Sequence, residues 1–130
     1  MFWDFKKNEL SRDIFNYFGF STQLIPDIRP VFSEHGQLNP VVASVLSLKE
    51  GIPISYKSGD QPNNALSLNV LEPGQVAATA GPSGVIYGIT DQLVYDNQSR
   101  VNTFAHVNYS ENMRRLGVLL CINGTGIKPV

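Results

Sequence analysis

The chain has little cysteine and almost no excess charge, and these shortages exclude several classes of protein. Its one cysteine, Cys121, cannot form a disulfide within the chain. The formal net charge is −1 at pH 7, so no basic field attracts nucleic acid. We therefore expect a cytoplasmic protein of a reducing compartment, without a nucleic-acid partner.

Long apolar runs are also missing. No run approaches the length that crosses a membrane, and residues 1–8 lack the apolar core of a signal peptide, so we expect no membrane partner. Hydrophobic residues still make up 42% of the 130 residues, which argues against disorder. This length allows one ordinary core or pieces of two domains.

Cysteine and histidine are too sparse to indicate a metal site. Cys121 lies in the apolar run 116–122, where we expect a small buried residue. His35 and His106 lack Cys, His or acidic neighbours at ligand spacing. We expect both histidines to be hydrogen-bonded structural residues.

Helical periodicity marks the start of the chain. Apolar residues recur at helical spacing over residues 9–18, and Asn8 can cap the start of this helix. Gly19 can take the left-handed conformation at its end. Residues 21–37 contain several prolines and predict an irregular surface connection.

Two further helices and a short strand follow. Asn39 and Pro40 are typical of a helix start, and Gly51 is typical of a helix stop. Residues 53–58 then predict a short strand. Pro62 suits the first turn of a third helix.

The second half of the chain favours strands. Residues 76–80 and 85–90 flank the turn-forming loop 81–84, which predicts a hairpin. Residues 101–107 alternate and predict a third strand, whereas the apolar run 116–122 has no obvious strands to flank it. The change of pattern indicates a junction near residues 71–74 between an α/β part and a new sheet.

Two short motifs could carry chemistry. In Gly59-Asp60-Gln61, a carboxylate and an amide sit between the predicted strand and helix, at the ligand-facing edge of an α/β sheet. The alternative is that Asp60 only caps the helix. Small residues at 81–84 and 123–126 expose backbone N–H groups that could hold phosphate, or they are plain turns.

Taken in order, these motifs resemble the FGGY carbohydrate kinase family. The resemblance is carried by residues 51–55, by Gly59-Asp60-Gln61, by 72–74 and by 80–85. It extends upstream to Trp3-Asp4 and downstream through Gly117-Val118, so nearly the whole chain is covered. It implies an α/β fold of the actin-like, ribonuclease-H-like class, with two domains closing on a cleft.

The resemblance also implies roles for individual residues. Asp60 falls on the catalytic base and Gln61 on a neighbouring sugar-contacting position. Gly81, Ser83 and Gly84 fall on the loop that contacts the ATP phosphates, and Gly117 falls on a glycine that lines the nucleotide pocket. If this is right, Asp60 and the loop 81–84 face one shared cleft.

The implied reaction transfers the γ-phosphoryl group of ATP to a hydroxyl of a sugar or polyol, with Mg²⁺ as the usual cofactor. A pentulose such as xylulose is the favoured acceptor, and a homodimer of the full-length parent is consistent with the resemblance. Residues 1–70 would be the end of the first, sugar-binding domain. Residues 71–130 would be the start of the second, nucleotide-binding domain, so the chain is expected to be an internal fragment of a longer kinase.

One departure from the family pattern keeps other functions open. Pro82 replaces a threonine in the phosphate loop and removes a hydroxyl and a backbone N–H together. A degenerate, non-catalytic member of the actin-like fold is therefore one alternative. A small β-rich interaction domain unrelated to kinases is the other.

Overall fold

The structure is a computed structural model that describes residues 2–80 and 84–122. Its helices precede its main sheet along the chain. The helices are α1 (Arg12–Phe18), α2 (Pro40–Leu46) and α3 (Asp60–Ser67), with a short 3₁₀ helix at Thr22–Leu24. The strands are β1 (Trp3–Asp4), β2 (Glu9–Leu10), β3 (Val76–Thr79), β4 (Gly84–Thr90), β5 (Asn102–Ala105) and β6 (Leu116–Ile122).

Helix α1 begins later than the apolar spacing predicts. Residues Glu9–Leu10 pair with Trp3–Asp4 as a small antiparallel hairpin, so they are not helical. Asn8 lies in the turn of this hairpin with a positive φ of 52°, and Ser11 takes the N-cap position that we expected for Asn8. The predicted stop is confirmed, because Gly19 adopts the left-handed conformation.

Helix α2 begins as predicted and ends early. The Asn39 side chain accepts a hydrogen bond of 2.8 Å from the Val41 N–H, and Pro40 is the first helical residue. The helix ends at Leu46 because Ser47, at φ 54°, takes the left-handed position. Gly51, the predicted stop, lies beyond this end and also has a positive φ.

The strand predicted at residues 53–58 is not formed. Only Pro53 makes a bridge, to Gln37, and the rest of the segment is extended without strand pairing. Its backbone still bonds to the preceding connection, with Ile54 N–H donating to the Gly36 carbonyl and Lys57 N–H to the Val31 carbonyl. These hydrogen bonds to the irregular connection at residues 21–37 thus hold the segment in an extended form.

The main sheet has the strand order β3-β4-β6-β5, and every pairing is antiparallel. The predicted pairing of the strands around residues 81–84 is confirmed. The expectation that residues 116–122 lack flanking strands is wrong, because β6 lies in the sheet between β4 and β5. Its apolar composition follows from this central position.

One face of this sheet forms the core with α3. Successive residues of a strand point to opposite faces, and β4 alternates accordingly, with Val85, Tyr87 and Ile89 buried. Tyr87 lies opposite Leu119 in the register, and both belong to one buried cluster with Ala65 of α3. Each large side chain buried here contributes roughly 1.5–3 kcal/mol, so this face fixes α3 on the sheet.

Residues 91–100 form an irregular polar connection between β4 and β5. The Arg100 guanidinium lies 2.9 Å from the Asp96 carboxylate, and this contact holds the pKa of Asp96 well below its usual range. Cys121 differs from expectation, because it is exposed near the end of β6 and not buried. None of the helices described is long and apolar enough to cross a membrane.

Candidate functional site

Asp60 is the first residue of α3. Gly59 precedes the helix in an extended conformation, so the helix begins two residues before Pro62. Pro62 is tolerated there because the first N–H groups of a helix have no partner within the helix. The local sequence therefore places a carboxylate at a helix start, directly after an extended segment.

The two oxygens of the Asp60 carboxylate have different environments. Oδ1 accepts a hydrogen bond of 2.8 Å from the Gln61 backbone N–H. Among the described residues, Oδ2 has one long contact, at 3.4 Å from Nε2 of the Gln61 side chain. The alternative that Asp60 caps the helix is wrong, because Gly59 takes the N-cap position and Asp60 is the first helical residue. The hydrogen bond to Oδ1 holds the carboxylate in place, and Oδ2 can accept a hydrogen bond from a further donor.

Asp60 and Gln61 line a pocket of about 390 Å³ between α3 and the main sheet. One wall is formed by the segment before α3, with Lys57, Ser58 and Gly59. Val31, from the irregular connection at residues 21–37, completes this wall. The start of α3 with strands β5 and β6 forms the rest: Pro62, Phe104, Ala105 and Leu119. A polar edge thus faces an apolar wall, which suits a ligand with both hydroxyls and a carbon skeleton.

Phe104 is the wall residue that the sequence did not single out. It lies on β5 opposite Gly117 of β6, and its ring is partly exposed toward the pocket. Its only sequence signal is its place in the alternating segment 101–107. The pairing of β5 with β6 brings it to the pocket, and that pairing is non-local.

The predicted phosphate loop is described only at its last residue. Gly84 begins β4 and pairs with Ile122 of β6. This position is three residues along β6 from Leu119 of the pocket wall, or about 10 Å at the usual rise of a strand. Gly81, Pro82 and Ser83 lie outside the described residues, so the shared cleft with Asp60 stays a prediction.

Gly117 has a packing role that explains the absence of a side chain. It is buried in β6, and a Cβ added there would lie 1.8 Å from Oη of Tyr87. The Tyr87 ring therefore occupies the space next to Gly117. The role of Gly117 toward a nucleotide stays a prediction.

The structural role predicted for both histidines is confirmed. His106 is fully buried, and its Nδ1 lies 3.1 Å from the Tyr87 hydroxyl. Burial lowers the pKa of His106 and raises the pKa of Tyr87. His35 donates from Nε2 to the Val31 carbonyl at 3.0 Å.

Two contacts secure the chain where a domain boundary was predicted. The Asn108 side-chain amide donates to the Leu71 carbonyl at 3.1 Å, and the Arg115 guanidinium lies 2.8 Å from the Glu72 carboxylate. Both join the connection after α3 to the segment that leads into β6. The relative position of α3 and the sheet, and with it the pocket, depends on this connection.

The sequence is similar to a curated protein of known name. No family model matches the sequence. The chain is 28% identical over 117 residues to the protein named xylulose kinase of Bacillus subtilis (strain 168). The match covers 88% of this chain and 23% of that protein, so the chain spans about a quarter of the length of its relative.

Solved structures show the same fold. Xylulose kinase from Rhodospirillum rubrum matches with a TM-score of 0.80 over 96% of this chain, at 20% identity. Ligand-bound xylulose kinase from Lactobacillus acidophilus matches at 0.79 over 94%, at 15% identity. A protein from Brucella ovis, named as a xyloylose kinase, matches with a TM-score of 0.76 over 91% of this chain, at 19% identity.

These matches confirm the resemblance to sugar kinases and the predicted fold class. The chain covers 24% of each of these three structures, which is consistent with a segment of the fold. The alternative of a β-rich domain unrelated to kinases is wrong, because the chain matches that fold over nearly its whole length.

Proposed function

We propose that the chain is part of an ATP-dependent kinase that phosphorylates a hydroxyl of a sugar or polyol, with a pentulose such as xylulose as the acceptor. The observation that carries this proposal is the position of Asp60. Its carboxylate lies at a helix start, in a pocket of mixed polarity, with one oxygen held and the other available. The similarity to proteins named xylulose kinase supports the choice of acceptor.

Asp60 acts in this proposal as the general base. Oδ2 accepts the proton of the acceptor hydroxyl while the hydroxyl oxygen attacks the γ-phosphorus, and the bond from that phosphorus to the bridging oxygen of ADP breaks. The Gln61 backbone N–H holds Oδ1, so the carboxylate keeps its orientation as it gains the proton. A base placed in this way contributes roughly 10²- to 10⁴-fold to the rate.

The remaining pocket residues would orient the acceptor. The Gln61 amide can donate to one hydroxyl and accept from another. Phe104 and Leu119 offer an apolar surface for the carbon skeleton on the opposite side. Because phosphoryl transfer depends mainly on positioning and charge stabilisation, a fixed acceptor is a large part of the catalytic effect.

ATP and Mg²⁺ are assigned to the second half of the chain. Gly81, Ser83 and Gly84 would contact the phosphates, and Gly117 would lie by the nucleotide. No group of three His, Cys, Asp or Glu residues gathers at one point within ranges 2–80 and 84–122. Our proposal has Mg²⁺ bound by phosphate oxygens and water, as is usual for this ion in kinases.

The proposed division into two domains follows the helices and the sheet. Residues 1–70 would end the sugar-binding domain and residues 71–130 would begin the nucleotide-binding domain. Closure around the pocket would exclude water and limit ATP hydrolysis. We assign this activity to the cytoplasm, with the sugar and ATP as small-molecule partners.

A second candidate is a degenerate member of the fold that binds without catalysis. The observation that favours it is Pro82, which removes one N–H donor from the predicted phosphate loop. ATP-dependent sugar phosphorylation by the complete gene product separates the two candidates. If the loop serves ATP, Pro82→Thr should strengthen ATP binding or raise turnover in that product.

Kinetics of the complete gene product test the role of Asp60. Asp60→Asn should lower kcat at least ~10²-fold with little change in the sugar KM, whereas Gln61→Ala should mainly raise that KM. Asp91→Asn, in the exposed turn after β4, is the matched control and should leave both parameters unchanged. Near-normal turnover of Asp60→Asn would refute the assignment.

A further inference from the structure

The pocket around Asp60 contains a cationic residue that has no role in the proposal so far. Among the described residues that line this pocket, Asp60 is the one acidic residue and Lys57 is the one basic residue. Lys57 belongs to the extended segment that leads into α3, and Asp60 is the first residue of that helix. A positive charge thus shares the pocket with the proposed general base.

The backbone of Lys57 is held in place, while its side chain can reach a ligand. The Lys57 N–H donates to the Val31 carbonyl at 3.2 Å, which ties the segment to the irregular connection. The side chain is exposed, and the ion pairs of the described residues use the guanidinium groups of Arg29, Arg100 and Arg115. Within residues 2–80 and 84–122, no carboxylate therefore forms an ion pair with the Lys57 ammonium.

The contacts of the preceding residue indicate the side to which Lys57 projects. The Tyr56 hydroxyl donates to Oδ1 of Asn63 at 2.8 Å, and the Tyr56 ring packs on Phe32 with ring centroids 5.1 Å apart. Successive side chains of an extended segment point to opposite sides. Lys57 therefore projects away from these contacts, and Lys57 lines the pocket whereas Tyr56 does not.

The proposed reaction brings further negative charge into this pocket. The γ-phosphoryl group must approach the acceptor hydroxyl that Asp60 deprotonates, so its oxygens come close to a carboxylate of like charge. Such repulsion grows when little water separates the charges. A lysine ammonium is a compact positive charge on a flexible stem, and lysine is a common partner of phosphate. The Lys57 ammonium can therefore offset the repulsion between the base and the phosphoryl group.

We propose that Lys57 is a catalytic residue whose ammonium binds oxygens of the phosphoryl group during its transfer to the acceptor. Lys57 itself forms and breaks no covalent bond. The acceptor oxygen forms a bond to phosphorus, the bond from that phosphorus to ADP breaks, and the acceptor proton goes to Asp60. The role of Lys57 rests on the proposed kinase function. It also adds a phosphate donor to a chain whose predicted phosphate loop has one N–H fewer at Pro82.

The test compares Lys57→Met with Lys57→Arg in the complete gene product, with xylulose, ATP and Mg²⁺ as the reactants. Methionine keeps much of the length of the side chain and removes its charge, whereas arginine keeps the charge. Lys49→Met is the matched control, because Lys49 is also exposed but lies outside the pocket, in the connection after α2. Thermal unfolding followed by circular dichroism measures whether each variant keeps the stability of the natural protein.

Lys57→Met should lower kcat about 10²-fold with little change in the sugar KM, because it removes a charge that stabilises the transition state. Lys57→Arg should keep kcat within about tenfold of the natural value, since a guanidinium also binds phosphate. Lys49→Met should leave both parameters unchanged. All three variants should unfold at the natural midpoint, because both lysines are exposed.

Four results would overturn the proposal. A natural kcat in Lys57→Met would show that the ammonium does not act on the phosphoryl group. A raised sugar KM at constant kcat would show that Lys57 binds the acceptor instead. Equal losses in Lys57→Met and Lys57→Arg, with a lower midpoint in both, would show a structural role. If the natural protein releases no ADP in response to sugar, the proposed function fails and the role of Lys57 fails with it, whereas the first three results leave that function intact.

Discussion

Substituting Gly117 by alanine tests the packing of the main sheet beside the candidate site. The new Cβ would lie 1.8 Å from Oη, 2.0 Å from Cζ and 2.5 Å from Cε2 of Tyr87, whereas ordinary contacts begin near 3.4 Å. The clash involves the ring itself, and Tyr87 is fully enclosed in the core. The ring must therefore move by roughly 1.5 Å, or the strands must separate.

The cost has two parts. Overpacking a core typically costs about 1–3 kcal/mol. Moving the Tyr87 hydroxyl also breaks its hydrogen bond to His106, and leaving a buried polar group unpaired costs a further ~1–3 kcal/mol. We expect Gly117→Ala to lower the free energy of unfolding by about 3 kcal/mol, a large part of the usual total of ~5–15 kcal/mol.

Thermal unfolding followed by circular dichroism measures this change in residues 1–130. For a chain of this size, about 3 kcal/mol corresponds to a fall in Tm of roughly 10–15 °C. Gly88→Ala in the adjacent strand is the matched control, because its Cβ would meet only Val76 Cγ2 at 3.8 Å. That variant should be unchanged or up to ~1 kcal/mol more stable.

A double-mutant cycle identifies the cause. In a Tyr87→Leu background the ring is absent, so Gly117→Ala should cost much less than in the natural sequence. If Gly117→Ala is as stable as the natural protein, or costs the same with and without the ring, the described packing of Tyr87 on Gly117 is incorrect.

Three further predictions concern stability and activity. Burial lowers the pKa of His106 below its ordinary value of 6.5, so the unfolded state binds a proton at a higher pH than the folded state does. The free energy of unfolding should therefore fall as the pH decreases below about 6.5. His106→Gln should flatten this pH dependence in denaturant titrations at several pH values. Glu72→Gln should cost only ~0.2–1 kcal/mol, since the Glu72 side chain is 58% exposed, and a larger loss in a urea titration would contradict that estimate. Residues 1–130 alone should show no sugar-dependent ADP release, and measurable sugar phosphorylation by this chain would refute this.

The elements whose signals are local could be predicted from the sequence. The cap at Asn39 and the stop at Gly19 depend on neighbouring residues, and both are formed. The alternation of Val85, Tyr87 and Ile89 marks one buried face of β4 because a strand has a period of two. Such features need no knowledge of the distant chain.

Features that depend on distant partners could not be predicted. Residues 9–10 fit a helical pattern but pair with β1, and that pairing decides their structure. The central position of β6 depends on its registers with β4 and β5, which no local pattern encodes. Cys121 was expected to be buried from its apolar neighbours, yet its position near the end of β6 leaves it exposed.

The candidate site also has one part that the local sequence indicates and one part that depends on distant pairing. Asp60 and Gln61 could be picked out from the sequence, because a carboxylate and an amide directly follow the glycine that precedes a helix. The opposite wall could not, because Phe104 and Leu119 reach the pocket only through the pairing of β5 with β6. The sequence therefore indicates the proposed base, and the fold supplies the apolar surface that lines the same pocket.

Sugar-dependent release of ADP by the complete gene product is the most direct test of the proposed function. The assay supplies ATP and Mg²⁺ with a panel of pentuloses, hexuloses and polyols, and compares the natural protein with Asp60→Asn. We predict ADP release that requires a sugar, is fastest with a pentulose such as xylulose, and falls at least ~10²-fold in Asp60→Asn. ADP release that needs no sugar, or that persists unchanged in Asp60→Asn, would contradict the account.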